Sequence, residues 1–369
     1  GTSSLDVISA NPDRFEVVAL AAGSSAEALG IQIDRFRPRA VSLNDPAAAA
    51  HVRGKFGGKI AVFEGAEGLA EMIRSYEADF VINGIVGSSG MLPTVESLAS
   101  GKDVLLANKE TMVMAGKIVM ETASRMKRRI VPIDSEMSAI YQCLKGEKRD
   151  DVKRLILTAS GGPFIDYSHE ALKMVTVEQA LNHPTWEMGE KNTIDSATMM
   201  NKGLEVIEAS LLFGIPADRI DVTIHRSSVV HSFVEFVDGS LLCQLSRPDM
   251  RLAIKYAMTD PERLPSPYGG VDFTRRFSLT FEPPDINRFP CLKLAYEALD
   301  RGGTAPAALN GANEAVVRAF LSGTLSFMDI PRVMEEVVAL HRFIAEPTME
   351  ELIETDEEVK RRIQTIHIS

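Results

Sequence analysis

Two acidic residues directly follow a short apolar run that is expected to form a β-strand. In the string IVPIDSEMSAI, Asp134 ends the run, Ser135 is placed to cap the next helix, and Glu136 falls in its first turn. Hard divalent cations such as Mg²⁺ and Mn²⁺ prefer carboxylate oxygens, so this pair indicates a metal site. Acidic residues in a first helical turn also stabilise the helix dipole without any metal. The spacing alone leaves both interpretations open.

A polar cluster precedes the helix that contains Glu205, in the string IDSATMMNKGLEVIEA. Asn201 and Glu205 are four residues apart and therefore share one face of that helix. Ser196, Asn201 and Lys202 supply hydroxyl, amide and ammonium donors at a helix start, which suits a phosphate group. An ordinary capped helix with a surface lysine is the alternative.

Two further segments have the composition of ligand-binding loops. In TASGGPF, two glycines after Ser160 let backbone N–H groups approach an anion, although a plain strand-to-loop turn has the same pattern. The only tryptophan, Trp186, lies in LNHPTWEMGEK, which is typical of a lid that excludes water, with a core tryptophan as the alternative. His231, in the strand pattern SSVVHSF, is more typical of a structural histidine than a catalytic one.

The first third of the chain alternates short apolar runs with helical patterns, which predicts a doubly wound parallel sheet. Ligands of such sheets bind at the carboxyl ends of the strands. The string ANKE at 107–110 places an amide, a cation and an anion at such an end. The expected strands cover residues 15–23, 40–45, 59–65, 78–87, 103–110 and 129–134.

Composition divides the chain into four parts of different character. A hairpin with an Asp-Gly turn is expected in the middle third, and Thr348 and Thr355 stand where helix N-caps are expected near the end. The expected parts are a Rossmann-like domain at 1–133, a mixed α/β catalytic and dimerisation domain at 134–260, a proline-rich linker at 261–290 and a C-terminal helical bundle at 291–369.

The first residues have the pattern of a helix, with Ser3 as its cap and Asp6 in its first turn. A doubly wound fold normally places a strand and a glycine-rich turn before this helix. Neither segment precedes it here, and we expect that the sequence lacks its true N-terminal strand.

Bulk composition excludes several classes of protein. With 45% hydrophobic and 25% charged residues, the chain resembles an ordinary soluble protein, and its apolar runs are too short to span a bilayer. The net charge of −11 argues against non-specific nucleic-acid binding. Three widely spaced cysteines predict reduced thiols in a cytoplasmic protein, without a disulfide framework or a zinc site.

Together these segments closely resemble one family, the 1-deoxy-D-xylulose 5-phosphate reductoisomerases. The resemblance covers essentially the whole chain, and DSATMMNKGLE and HPTW are its most specific strings. The other matching strings are NGIVGSSGMLPT, LLANKETMVMAG, PIDSEMSAI, TASGGPF, VVHSFVEFVDGS, RPDMRLAIKYAM, FPCLKLAYEAL and LNGANEAVV.

The resemblance implies an NADPH-dependent isomerisation and reduction of 1-deoxy-D-xylulose 5-phosphate to 2-C-methyl-D-erythritol 4-phosphate, in non-mevalonate isoprenoid precursor biosynthesis. It also implies a cytoplasmic homodimer that acts on this phosphorylated sugar, with no nucleic-acid or membrane partner. By matching position, Asp134, Glu136 and Glu205 resemble ligands of Mg²⁺ or Mn²⁺, with Co²⁺ as a further candidate, and Lys109 joins them as a catalytic residue. The implied substrate contacts are Lys109, Ser135, Glu136, Ser160, His183, Trp186, Ser196, Asn201, Lys202 and Glu205. The implied cofactor contacts are Gly1, Gly23, Ser24, Ser25, Asn108, Glu110 and Gly189.

The chain departs from the family pattern at two places. The family begins with a strand and a Gly-Ser-Thr-Gly-Ser-Ile-Gly turn around the cofactor pyrophosphate, and only its last glycine corresponds to a residue here, Gly1. Met137 stands where many relatives carry a histidine, so this position is assigned no role.

Two other functions compete with this interpretation. A simpler NAD(P)-dependent dehydrogenase of an amino or hydroxy acid shares the doubly wound start, but it needs no carboxylate cage and would be active without a metal. A catalytically silent protein that binds a sugar phosphate would show no NADPH oxidation at all.

Overall fold

Six short parallel strands build the first part of the molecule. The computed structural model describes residues 1–365. The strands form two separate three-stranded sheets, in the orders β1-β2-β3 and β4-β5-β6. Their bounds are β1 Ala19–Ala22, β2 Ala40–Leu43, β3 Ala61–Glu64, β4 Phe80–Asn83, β5 Asp103–Leu106 and β6 Ile130–Pro132. The predicted α/β class with Rossmann-like parallel strands is confirmed, but within residues 1–365 these six strands do not form a single continuous sheet.

The division into two sheets follows from the space between β1 and β4. Within residues 1–365 no ladder of hydrogen bonds joins these two strands. Leu20 of β1 and Ile82 of β4 both line one large cleft instead. The first part of the molecule therefore has an open cleft between the two sheets.

Five helices connect these strands and α1 precedes them, and several of the six are capped by the residues expected from their type. Asp45 accepts a hydrogen bond from the N–H of Ala48, with Pro46 in the first position of its helix, and Asn108 accepts one from Thr111. The predicted Ser3 cap is wrong, because the first helix begins at Thr2 after Gly1. The helices are α1 Thr2–Ser9, α2 Ala26–Phe36, α3 Pro46–Phe56, α4 Gly65–Ser75, α5 Met91–Ala99 and α6 Lys109–Met126.

A mixed four-stranded sheet follows, in the order β10-β9-β7-β8. The predicted hairpin is confirmed, because β9 and β10 are antiparallel and flank Asp238 and Gly239. The strands are β7 Val152–Ala159, β8 Ile220–Ile224, β9 Val230–Phe236 and β10 Leu241–Leu245. The helices of this part are α7 Ser135–Cys143, α8 His169–Leu172, α9 Val177–Leu181, α10 Glu190–Ala197, α11 Met200–Phe213 and α12 Met250–Thr259.

The end of the chain is helical, as predicted from its composition. Thr348 caps the last helix, since its hydroxyl accepts from the N–H of Glu351. The predicted cap at Thr355 is wrong, because this residue lies inside that helix and its hydroxyl donates to the carbonyl of Glu351. The helices are α13 Cys291–Arg301, α14 Ala305–Leu321, α15 Asp329–Leu340 and α16 Met349–Thr365.

The largest hydrophobic core is shared among the predicted Rossmann-like, catalytic and helical domains. Buried Met112 of α6, Leu204 of α11 and Leu309 of α14 belong to one cluster. The α6–α11 and α11–α13 contacts depend on glycines, since a Cβ on Gly116 would lie 2.7 Å from Leu211 and one on Gly203 would lie 2.6 Å from Ala295. The domain boundaries assigned from composition stay a prediction.

None of the described helices combines the length and the apolar character that crossing a membrane requires.

Candidate active site

Three carboxylates converge at the carboxyl end of β6. Asp134 is the N-cap of α7 and Glu136 lies in the first turn of this helix, while Glu205 projects from α11. Each carboxylate offers one oxygen, and the three oxygens lie within 4.8 Å of one another. The cap differs from the prediction, since Asp134 takes this role and Ser135 is the first helical residue. Folding thus brings Glu205 to the two acids that are adjacent in sequence.

Two lysines bind these carboxylates. The Lys109 Nζ lies 2.7 Å from Asp134 Oδ2 and 2.8 Å from Glu205 Oε1. The Lys202 Nζ lies 2.6 Å from Glu136 Oε1 and also contacts Glu205 Oε2. Burial opposes the charge of each lysine, but the surrounding carboxylates outweigh it and raise both pKa values. Burial raises the pKa of Asp134, with Lys109 acting in the opposite direction.

The donor set fits a hard divalent cation. All three candidate ligands are carboxylates, which Mg²⁺ and Mn²⁺ prefer. Asp134 Oδ2 is buried and, among residues 1–365, has no hydrogen-bond donor beyond its ion-pair contact with Lys109. Three carboxylates and two ammonium groups leave one net negative charge, so a cation entering the cage must compete with the lysines for the same oxygens.

A pocket of hydroxyl donors lies around His183. Its Nε2 is 3.1 Å from Ser160 Oγ and 3.1 Å from Ser196 Oγ. Its Nδ1 accepts from the backbone N–H groups of Thr185 and Trp186, at 3.1 Å and 2.9 Å. The proton of the neutral imidazole therefore lies on Nε2, facing the two hydroxyls, and burial lowers the pKa of His183. Three polar groups that are distant in sequence form one donor pocket suited to an anion.

Gly162 is one of the two glycines after Ser160 that were predicted to let backbone N–H groups approach an anion, and it lies beside this pocket. Its φ is +68°, and a Cβ at this position would lie 2.5 Å from the carbonyl oxygen of Ser196. Its N–H donates to Ser160 Oγ at 3.3 Å. The paired glycines were the available signal, but the close approach to Ser196 could not be derived from it.

Asn201 and Lys202 lie closer to the carboxylates than to the hydroxyl pocket. Asn201 Oδ1 accepts from Lys109 Nζ at 2.8 Å, and its Nδ2 donates to Glu205 Oε1 at 2.6 Å. The Lys202 ammonium faces Glu136 and Glu205. A direct phosphate contact of these two residues stays a prediction.

Trp186 is half-buried and lines the cleft, so it is not a core tryptophan. Its indole N–H donates to Ser228 Oγ at 3.3 Å, and its ring centroid lies 6.3 Å from that of His231. Burial lowers the pKa of His231 to about 4, and its Nε2 lies 2.8 Å from Ser246 Oγ. His231 and Ser228 thus support the tryptophan, a role that the strand pattern around His231 did not indicate.

One cleft of about 1530 Å³ connects the carboxylates, the hydroxyl pocket and the space between the two parallel sheets. Most of the predicted cofactor contacts lie in its wall. Ser24 and Ser25 are exposed in the turn before α2 and, within residues 1–365, are not part of this wall. The predicted cofactor contacts that line the cleft are Gly1, Gly23, Asn108, Glu110 and Gly189.

Glu110 is held by a buried chain of charged side chains, which the sequence analysis did not predict. The Lys191 Nζ lies 2.8 Å from Glu110 Oε1 and 2.7 Å from Asp195 Oδ2. Asn313 of α14 donates to the other oxygen of Asp195 at 2.8 Å, and Asn108 donates to Glu110 at 2.9 Å. The spacing of Lys191 and Asp195 indicates a helical ion pair, but the partners Glu110 and Asn313 are distant in sequence.

Comparisons with known proteins cover nearly the whole chain and indicate one family. Models of the 1-deoxy-D-xylulose 5-phosphate reductoisomerase family match residues 1–116, and models of its C-terminal domains match residues 130–213 and 245–362. The 1-deoxy-D-xylulose 5-phosphate reductoisomerase of Geobacillus sp. (strain WCH70) is 47% identical over 367 residues, which are 99% of this chain and 96% of that protein. The same enzyme of Geobacter sp. (strain M21) is 50% identical over 357 residues, which are 96% of this chain and 93% of that protein.

Solved structures give the same result. A crystal structure of DOX-P reductoisomerase in complex with NADPH, fosmidomycin and magnesium matches with a TM-score of 0.92 and 38% identity, covering 99% of this chain and 94% of that chain. The 1-deoxy-D-xylulose 5-phosphate reductoisomerase from Zymomonas mobilis in complex with NADPH matches with a TM-score of 0.92 and 38% identity, covering 100% of this chain and 96% of that chain.

Proposed function

The chain belongs to the 1-deoxy-D-xylulose 5-phosphate reductoisomerase family, and we propose that its carboxylate cage, hydroxyl pocket and sheet cleft act as one active site. It is an NADPH-dependent and divalent-metal-dependent enzyme that converts 1-deoxy-D-xylulose 5-phosphate into 2-C-methyl-D-erythritol 4-phosphate. The observation that carries the proposed site is the convergence of three carboxylate oxygens within 4.8 Å, in the wall of the cleft that also contains Asn108 and Glu110.

Asp134, Glu136 and Glu205 would hold the cation in the proposed site. When bound, a divalent cation supplies Lewis acidity that stabilises negative charge on neighbouring substrate oxygens. The Lys109 ammonium contacts Asp134 and Glu205, so it lies beside any substrate oxygen that the cage holds. Its positive charge stabilises the enolate and alkoxide character that develops as one carbon–carbon bond breaks and another forms.

The hydroxyl pocket would bind the substrate phosphate. Ser160 and Ser196 present hydroxyls, and His183 presents its Nε2–H at the same point. Binding of this remote group supplies orientation for the reacting carbons. Trp186 lines the same cleft as this pocket and Ser135, and closure of its loop would keep water from the aldehyde intermediate until hydride transfer. Asn108, Glu110 and Gly189 line the same cleft and would hold the cofactor.

The functional assay follows NADPH oxidation with 1-deoxy-D-xylulose 5-phosphate in the presence and absence of Mg²⁺. We expect turnover that stops when a chelator removes the cation and returns when Mg²⁺ is restored, because the cage is required for charge stabilisation. Turnover without any divalent cation would favour a simpler dehydrogenase. Substrate binding without NADPH oxidation would favour a silent sugar-phosphate-binding protein.

The three cysteines are free thiols, which supports a reducing cytoplasmic location as part of this proposal. We further propose that the enzyme is a homodimer that associates through β10. This strand is at the edge of the four-stranded sheet, and Leu241 and Leu242 on it are 52% and 42% exposed. An exposed apolar edge strand is a favourable surface for pairing with a second copy of the chain.

Replacing Leu241 and Leu242 together by glutamate is expected to convert the dimer into a monomer, because like charges would meet at the paired edges. Sedimentation velocity measures this change. Leu340→Glu is the matched control, since Leu340 is 60% exposed on α15, away from β10. A wild-type monomer, or a dimer that survives the double substitution, would contradict this mode of association.

A further inference from the structure

The loop at 84–90, which ends in a short 3₁₀ helix at Ser88–Gly90, connects β4 to α5 and lines the cleft between the two parallel sheets. Two asparagines hold this loop from the side of the second parallel sheet, where Asn83 ends β4 and Asn108 caps α6. Asn108 Nδ2 donates to the carbonyl oxygens of Ile85 and Gly87, at 2.6 Å and 3.0 Å. Asn83 Oδ1 accepts from the N–H of Ile85 at 3.1 Å. The loop backbone therefore has a defined path next to Asn108, a proposed cofactor contact.

The C-terminal helices hold the same loop from the opposite side. Glu314 Oε1 of α14 accepts from the N–H of Ser88 at 2.8 Å, and Lys360 Nζ of α16 donates to Ser88 Oγ at 2.9 Å. Gly87 has a φ of +77°, and a Cβ there would lie 2.7 Å from Glu314 Oε1. A glycine is thus required both for the turn and for the approach of the carboxylate.

The two residues that contact Ser88 belong to a larger buried charge cluster. The Lys360 Nζ lies 2.6 Å from Glu314 Oε2 and 2.6 Å from Asp356 Oδ2. Asn310 donates to Glu314 at 3.0 Å and to Asp356 at 3.2 Å. The side chains of Lys360, Glu314 and Asp356 are only 18%, 11% and 4% exposed. Burying such charges is costly, and their fixed geometry favours a role in specifying the position of what they contact.

We propose that Glu314 and Lys360 are positioning residues for NADPH, through which the C-terminal helical bundle fixes the cofactor-facing loop at 84–90. The inference rests on the proposed cofactor cleft and extends it to residues that need not touch the cofactor. Without the ion pair, Ser88 loses the Glu314 carboxylate that accepts from its N–H and the Lys360 ammonium that donates to its hydroxyl. The loop then samples other conformations. NADPH must order it again on binding, and this entropic cost makes NADPH binding weaker.

The test compares three variants of the full chain by direct titration with NADPH, without substrate. Lys360→Met is expected to raise the Kd for NADPH about tenfold, which corresponds to about 1.4 kcal/mol. Lys360→Arg keeps a buried donor and is expected to restore most of the affinity. Arg361→Met is the matched control, because it removes one positive charge at the next, exposed position of the same helix. The kcat at saturating NADPH is expected to stay within about twofold of wild type in all three variants.

A second route removes the same contact from the loop. Ser88→Ala is expected to weaken NADPH binding in the wild type but to have little further effect in Lys360→Met, since the two side chains act through one contact. Hydrogen exchange at the amides of 85–88 is expected to accelerate in Lys360→Met and to stay unchanged in Arg361→Met.

An unchanged Kd in Lys360→Met, an equal loss in Arg361→Met, or fully additive effects of Ser88→Ala and Lys360→Met would each overturn the proposal. If Lys360→Met fails to fold, an unchanged Kd in Ser88→Ala overturns it instead. Failure of the wild-type chain to bind NADPH would contradict the proposed function itself, so the two failures are distinguishable.

Discussion

Glu205→Gln is expected to abolish turnover while leaving the fold nearly intact. Glu205 is 1% exposed, and its two oxygens contact Lys109, Asn201 and Lys202. The amide keeps the size of the side chain but removes the negative charge that a cation requires, and it turns an N–H₂ group toward an ammonium. We expect kcat/KM to fall by about 10³-fold or more, the scale of losing a group that stabilises developing charge.

The measurement combines NADPH oxidation over a range of Mg²⁺ concentrations with circular dichroism as a test of folding. Glu121→Gln, at an exposed position of α6, is the matched control and is expected to behave as wild type. Activity close to wild type in Glu205→Gln with Mg²⁺ present would contradict the assignment of this carboxylate to the metal.

Lys109→Met is expected to lower kcat by about 10² to 10³-fold while cation binding is retained. Lys109 shares Asp134 and Glu205 with the proposed cation, so its removal eliminates a competitor for those oxygens. What is lost is the positive charge beside the reacting oxygens. Kinetics at saturating Mg²⁺ and NADPH measure the chemical effect, and Lys117→Met, exposed on the same helix, is the control.

The Lys109→Met variant is also expected to have a lower thermal stability than wild type when no metal is bound. Without Lys109, Asp134 Oδ2 has no partner among the described residues, and the carboxylates repel one another. The metal-free variant is therefore expected to melt at a lower temperature than wild type, and Mg²⁺ should raise its Tm by more than it raises the wild-type Tm. Equal Tm shifts on addition of Mg²⁺, or undiminished kcat, would show that this lysine does not face the cation.

The local parts of the candidate site were accessible from the sequence. Asp134 and Glu136 are two residues apart at a strand end, so their proximity follows from local geometry. The paired glycines after Ser160 also indicated an anion loop. Even local capping was partly mispredicted: Asp134 caps α7, and Ser135 does not. Both residue types are good N-caps, so neighbouring positions compete for this role.

The distant partners could not be derived in this way. A phosphate contact of Lys202 stays a prediction. The packing of α11 near α7 places its ammonium against Glu136, a partner that the local spacing did not indicate. His231 was expected to be structural, and only the fold places its ring beside Trp186. No contact was predicted between the strings LNGANEAVV and NGIVGSSGMLPT. They contain Glu314 and Ser88, and the Ser88 N–H donates to the Glu314 carboxylate.

The sequence by itself determined the residue types, the alternation of strands and helices, and the short-range pairs, because these depend on neighbours within one strand or one helical turn. The family resemblance joined those parts into one expected enzyme. Spacing did not connect Glu205 with Asp134, and the family resemblance grouped them as expected metal ligands. Only the tertiary structure decided that two lysines share the oxygens of these carboxylates and that the C-terminal helices contact the loop at 84–90. Those contacts depend on how α6, α11 and α14 pack around the shared core, and packing between distant segments leaves no periodic signal in the chain.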